Sequence, residues 1–111
     1  MPWELDSDRP IYAQIVDRLK HEIVSGFYPP GSRLPSVRDL AAQASVNPNT
    51  MQKAFTELER TGLIVTRRTS GRTVTEDTAL IEQVRSELAE LQISQFLTRM
   101  QHLGYQKDDS I

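Results

Sequence analysis

The stretch Val46-Asn47-Pro48-Asn49-Thr50-Met51-Gln52-Lys53 decides the fold. Asn47 carries the short amide that caps a helix N-terminus, and Pro48 suits a first helical position, where no N–H is needed. Met51, Ala54, Phe55 and Leu58 follow at helical spacing and predict one buried stripe, with Gly62 as the stop. The other positions of the opening turns hold Asn49, Thr50, Gln52 and Lys53, with no acid among them. A helix start rich in donors, at the positive end of its dipole, suits a partner that carries phosphates.

Upstream, Ser36-Val37-Arg38-Asp39 has the pattern of a capping box with Ser36 as N-cap. It predicts a short helix that turns Val37, Leu40, Ala41 and Ala44 inward, with Ser45-Val46 as the turn into the next. Before it, Pro10 opens a helix whose apolar stripe is Ile11, Ile15, Leu19 and Ile23, with Tyr12 and Val16 beside it. Gly26 and then Pro29-Pro30-Gly31 end that helix. Downstream, Leu63–Arg67 reads as a strand, Thr69-Ser70-Gly71 as a turn and Arg72–Thr75 as a return strand. The spacing then predicts a helix from Thr78 to His102, with Leu80, Ile81, Val84, Leu88, Leu91, Ile93, Phe96, Leu97, Met100 and Leu103 as apolar positions and Gly104 as the stop. At 1.5 Å per residue it spans roughly 35–40 Å, more than the preceding core can cover.

Helix, helix, tight turn, helix, hairpin is the order of a winged helix-turn-helix, a mainly α fold of three helices plus a β-hairpin wing. Residues 1–75 are expected to form a DNA-binding unit and residues 76–111 a helical dimerisation extension. In such a unit the start of the second motif helix enters the major groove. That assigns Asn47, Asn49, Thr50, Gln52 and Lys53 to the interface, since amides pair bidentately with adenine and threonine offers a hydroxyl or a methyl. Taken alone, Asn47 reads first as a cap. Arg38 sits in the first turn of a helix, an unfavourable place for a cation unless a phosphate or guanine lies near. Ser36, at the N-cap beside it, joins the set. In the wing Arg67, Arg68, Gly71 and Arg72 form a basic tip without a neighbouring acid, suited to backbone or minor-groove contact. Arg33, next to the Pro-Gly turn, is a further phosphate candidate. Along the extension Val84, Leu88, Leu91, Phe96 and Met100 are the expected dimer contacts.

Composition limits the alternatives. The chain has 111 residues, 38% hydrophobic and 25% charged, with net charge −2. Ten cations face eight acids in residues 1–75, and three face seven in residues 76–111. No acid occurs from Leu40 to Thr56 or from Arg60 to Thr75, so an anion-binding surface is present locally despite the acidic total. There is no cysteine, and His21 and His102 lie far apart, which excludes disulfides and thiolate metal sites and offers no ligand spacing. No cofactor is called for. A Gly-rich phosphate loop and a convergent carboxylate pair are both missing from the sequence, so an enzyme is not expected. No apolar run approaches the ~20 residues of a membrane span, and the acidic start is no signal peptide, so a cytoplasmic location is expected.

The run from Pro10 to Val74, with PPGSRLPSVRDLA, then VNPNT, then ELERTGLIVTRR, resembles the N-terminal domain of the GntR family of bacterial transcription regulators. The resemblance implies that Arg38, the opening of the third helix and the wing tip contact DNA. Two features, the turn and the wing, depart from the family pattern. Ser45 stands where the turn usually has glycine, and Thr69 and Arg72 stand where the wing often has glycine and threonine. The residues after 75 are too few for a large effector-binding or aminotransferase-like domain. They are similar to the short YtrA-type subfamily, whose C-terminal helices dimerise, and LGYQKDDSI resembles the start of a second such helix. The expectation is a dimeric repressor on an inverted-repeat operator of double-stranded DNA. An unidentified small-molecule effector would fit only in a groove at the dimer interface. The rival expectation is a winged-helix module that binds protein or RNA.

Overall fold

The structure, a computed structural model, describes residues 3–104. Helix α1 (Ile11–Val24) is followed by α2 (Val37–Ala44), α3 (Pro48–Thr61), the strands β1 (Ile64–Arg67) and β2 (Gly71–Val74), and helix α4 (Thr78–His102). Helix ends form where the sequence places caps. The Ser36 hydroxyl accepts the Asp39 N–H at 3.0 Å, and the Asn47 side-chain oxygen accepts the Asn49 N–H at 2.7 Å. Between them the chain turns at Ser45, which is left-handed at φ 59°. Ser45 N–H bonds to Ala42 O and Val46 N–H to Ala41 O, the paired bonds of a Schellman ending. Asp77, three residues past the end of β2, caps α4 by accepting the Leu80 N–H at 3.1 Å.

The core sits where α1, α2, α3 and the hairpin converge. Ile15, Leu19 and Ile23 meet Leu40, Ala41 and Ala44, and Met51, Phe55 and Leu58 fill the centre with Leu63, Ile64 and Val74. Phe55 and Leu58 are fully buried, and each such side chain stabilises the fold by about 1.5–3 kcal/mol through removal of apolar surface from water. Small residues let the two motif helices approach: Ala41 and Ala44 on α2 and Ala54 on α3 are all at most 2% exposed.

Two features differ from the sequence reading. The segment after the Pro-Gly turn is more than a connection. Gly31 N–H bonds to Val74 O, Val74 N–H to Ser32 O, and Leu34 N–H to Arg72 O, each at 2.9 Å. With the Arg33–Thr73 bridge, this segment lies along the free edge of β2 as a third line of the wing. Turn chemistry alone hid this pairing, because its partner lies about forty residues away in sequence. The strands themselves pair antiparallel from Ile64–Val74 to Arg67–Gly71, starting one residue later than the apolar run suggests.

The second difference concerns α4. Its first turns are part of the winged core: Ile81 is 4% exposed, and Leu80, Val84 and Leu88 pack against the same cluster. Gly62, the left-handed stop of α3 at φ 88°, takes a backbone that favours glycine, and a Cβ there would lie in tight contact, 3.3 Å from Leu80 Cδ2. Beyond Leu88 the helix is bare, with Leu91, Ile93, Phe96 and Leu103 all at least half exposed. At roughly 100° per residue, Leu80, Ile81, Val84, Leu88 and Leu91 share one arc, whereas Ile93, Phe96, Leu97, Met100 and Leu103 fall on the opposite side. The apolar face thus changes sides between Leu91 and Ile93. The expected second helix in LGYQKDDSI falls almost wholly outside the described residues. No helix among those described is long and apolar enough to cross a membrane.

Candidate nucleic-acid interface

Helix α3 buries Met51, Ala54, Phe55 and Leu58, so its outer face must carry Asn49, Gln52, Lys53 and Thr56, which are all exposed. Gln52 and Thr56 are joined by a bond from Gln52 Nε2 to Thr56 Oγ1 at 3.3 Å, and the Thr56 hydroxyl donates to Gln52 O at 3.0 Å. The polar pattern at the helix start does not single out Thr56, although it lies one turn beyond Gln52 on the same face. The Lys53 ammonium lies 4.0 Å from the centre of the Tyr12 ring, which steers it toward the start of α1. Asn47 spends its oxygen on the cap. Thr50 is half-buried and lines a cleft of about 390 Å³ with Trp3, Leu5, Ile11 and the turn Ala44–Asn47, so it faces the N-terminal arm. Gln14, 7% exposed, holds that arm down: it accepts the Asp6 N–H and donates to Asp6 O, each at 2.7 Å.

Arg38 is exposed on the first turn of α2, beside the exposed Ser36. The wing closes through a three-residue loop, Arg68 to Ser70, with Gly71 at φ 72° providing the left-handed residue such loops require. Arg67 and Arg68 are exposed on this tip. Arg33 reaches the same place through its bridge to Thr73, its guanidinium lying over Gly71. Sequence places Arg33 only beside a turn; the third line of the wing brings it to the tip.

Arg72 requires a correction. The sequence shows no acid beside the wing arginines, but Arg72 Nε donates to Glu59 Oε1 at 2.6 Å, and its guanidinium lies 5.3 Å from the Phe55 ring centre. Glu59 also accepts the Thr66 hydroxyl at 3.0 Å. The side chain therefore turns back onto α3 and locks the wing to that helix. The cause is tertiary: Glu59 lies one helix turn before the stop at Gly62, which sends the hairpin back past it.

Among the described residues, Arg9, Arg18, Arg60, Arg72 and Arg85 each pair with an acid. The Arg60 hydrogen bond holds the Glu57 carboxyl below its ordinary range and raises Arg60 in turn. Arg33, Arg38, Lys53, Arg67 and Arg68 enter no such pair, and among the described residues the only others without one are Lys20 and Arg99. Cations that the protein leaves unneutralised on one unit suit a polyanion. The described residues contain no cluster of three or more His, Cys, Asp or Glu side chains able to hold a metal.

Comparison with known proteins agrees with this geometry. The family model of bacterial regulatory proteins, gntR family, matches residues 11–74. The HTH-type transcriptional regulator YhcF of Bacillus subtilis is 35% identical over 108 residues, covering 97% of this chain and 89% of YhcF. The HTH-type transcriptional repressor YtrA of the same organism is 40% identical over 100 residues, 88% of this chain and 76% of YtrA. Among solved structures, a GntR family transcriptional regulator from Listeria monocytogenes superimposes with a TM-score of 0.84 at 43% identity, covering 94% of this chain and 91% of that one. The DNA-binding domain of AraR in complex with operator ORR3 matches with a TM-score of 0.56 at 26% identity, over 68% of this chain and 93% of that one. These relatives are regulators of transcription, not enzymes. The motifs, the winged fold and the similarity over nearly the whole length place this chain in the GntR family of bacterial regulators, as a DNA-binding transcription regulator.

Proposed function

We propose that the protein is a repressor that binds an inverted-repeat operator as a homodimer. The unpaired cation set carries the DNA-contact assignment: among the described residues, five of the seven cations without an acid partner fall on α2, α3 and the wing. In this reading Arg38, Asn49 and Gln52 read base edges in the major groove, with Thr56 beside them. Ser36, Lys53, Arg33, Arg67 and Arg68 contact phosphates, and the wing backbone at Gly71 lies close to the duplex. Asn47 and Thr50 shape the start of α3 rather than reading sequence. Repression is carried over from the YtrA relative by name only.

Two units divide the work. Residues 1–75, with the root of α4, form the DNA-binding body, and the rest of residues 76–111 form the dimer contact. The change of apolar side along α4 supports this. Leu80, Ile81, Val84 and Leu88 are occupied by the chain's own core, while Phe96 and Met100, with Ile93, Leu97 and Leu103, face away from it. A second copy related by a two-fold axis would cover them with the same residues. Leu91 lies at the crossover, and Val84 and Leu88 serve mainly the chain's own core. Two copies present two recognition helices to half-sites about one helical turn apart.

The experiment is selection of bound duplexes from random-sequence DNA, followed by titration of Arg38→Ala and Asn49→Ala variants. Each should narrow the gap between selected and random DNA by roughly 1–3 kcal/mol, the worth of one bidentate base contact. Unchanged specificity for both would remove the assignment of base readout to α2 and α3. Selected sequences without two-fold symmetry would overturn the dimeric operator reading.

A further inference from the structure

Helix α1 ends with carbonyls that no further turn can satisfy. His21 O accepts the Ser25 N–H at 2.9 Å, Glu22 O accepts the Tyr28 N–H at 3.2 Å, and Ile23 O accepts the Gly26 N–H at 3.2 Å. The last, Val24 O, is taken by α4. Arg85 Nε and Nη2 both donate to it, at 3.1 and 2.8 Å, across 61 residues of sequence. Glu82, one turn earlier, pairs with Arg85 Nη1 and orients the guanidinium. A cation at this end of α1 also meets the negative end of its dipole. Arg85 thus completes the cap of one helix while standing on another.

On its other flank the root of α4 is wedged against α3, where Leu80 fills the space left open by Gly62 at the stop of the recognition helix. The direction of α4 is therefore set chiefly against α1, which in turn packs on α3 through the shared core. Beyond Leu88 nothing in the described chain supports it. From Leu88 to the end of the helix is a lever of roughly 21 Å, so a tilt of about 10° at the root moves the far end by roughly 3.7 Å. That exceeds the rise of about 3.4 Å per base-pair step in duplex DNA.

We propose that Arg85 is a positioning residue that sets the half-site spacing this regulator accepts. Its bidentate bond to Val24 O fixes the angle between the recognition helix and the distal part of α4. That angle, repeated through the two-fold axis, fixes the separation of the two recognition helices. The proposal rests on the dimeric reading above, and its test separates the two.

The full chain and its Arg85→Met and Arg85→Lys variants are compared on one selected duplex and on copies of it with the half-site separation changed by one or two base pairs. Binding to a single half-site and sedimentation are measured alongside. Methionine keeps the apolar stem and removes every donor; lysine keeps the charge but cannot bond through two nitrogens of a fixed fork. The parent should prefer its selected spacing by about tenfold or more, the gain from engaging both half-sites at once. Arg85→Met should remain a dimer with unaltered half-site affinity, yet bind the altered spacings within about twofold of the selected one. Arg85→Lys should fall between. An Arg85→Met dimer that keeps the parent's spacing preference overturns the proposal while leaving the dimeric reading intact. Should Arg85→Met not fold, an Arg85→Lys profile as sharp as the parent's does the same. A monomeric parent overturns the dimeric reading and this inference with it.

Discussion

At Ser45 a single side chain carries a cost that the fold accepts. A left-handed backbone costs a residue with a Cβ about 1–2 kcal/mol, and glycine avoids it while giving back part of that gain through greater freedom in the unfolded chain. Ser45→Gly should therefore stabilise the protein by about 0.5–1 kcal/mol, read as a higher Tm in thermal unfolding. An unchanged or lower Tm would mean that the serine hydroxyl contributes more than the backbone strain. The turn was legible in sequence because Ser45-Val46 separates two apolar periods. The strain was legible only through the family resemblance, since nothing local to a serine announces a positive φ. Asn47 shows the converse. Its neighbours allowed a cap or a base contact, and the 2.7 Å bond to the Asn49 N–H takes up its oxygen.

Among the elements, the wing carries arginines in different surroundings. Arg67 and Arg68 stand on the tip, while Arg72 is held by Glu59 and lies beside Phe55. Arg67→Ala and Arg68→Ala should weaken selected and random DNA alike. Removing one phosphate interaction should reduce the salt slope by about 0.9 in log affinity per log salt. Arg72→Ala should instead lower stability by about 1 kcal/mol, from a half-buried ion pair and a ring contact, with a smaller effect on the salt slope. Denaturant midpoints beside salt titrations distinguish the two outcomes. An Arg72→Ala variant of parental stability whose slope falls as far as that of Arg68→Ala would return Arg72 to the interface. Sequence showed three like cations at a hairpin tip; only the return of the chain past α3 revealed that one has an acid partner.

For the molecule as a whole, the long dimension is a consequence of α4. The chain measures 55 × 33 × 23 Å, and the described part of α4 beyond Leu88 contributes apolar surface that its own core does not cover. Phe96→Glu places a charge on that surface without touching the core, so it should leave the Tm of the winged body in place and abolish the dimer in sedimentation. A cut after Thr78, just past the boundary that sequence suggests for a separable body, would remove Leu80, Ile81 and the Arg85 cap from the core. A cut after Ala89 keeps them. The shortened protein should be folded and monomeric, and bind the full operator at least about 100-fold more weakly, because the second half-site no longer binds intramolecularly. Dimers after the cut, or undiminished operator affinity, would place the association elsewhere.

By itself the sequence determined what depends on neighbours within a few residues. The four helices, their caps at Ser36 and Asn47, the hairpin and the acid-free start of α3 all follow from period, cap and turn chemistry, which act over one or two helical turns. The family pattern from Pro10 to Val74 was legible for the same reason, since its motifs are runs of adjacent residues. Tertiary structure decided what depends on residues brought together from afar. Pairing of residues 31–34 with β2 carries Arg33 to the wing, and Glu59 draws Arg72 away from it. Arg85 reaches a carbonyl 61 residues back, which makes the first turns of α4 part of the winged core. Each of these interactions balances desolvation against geometry in three dimensions, and a linear pattern records neither.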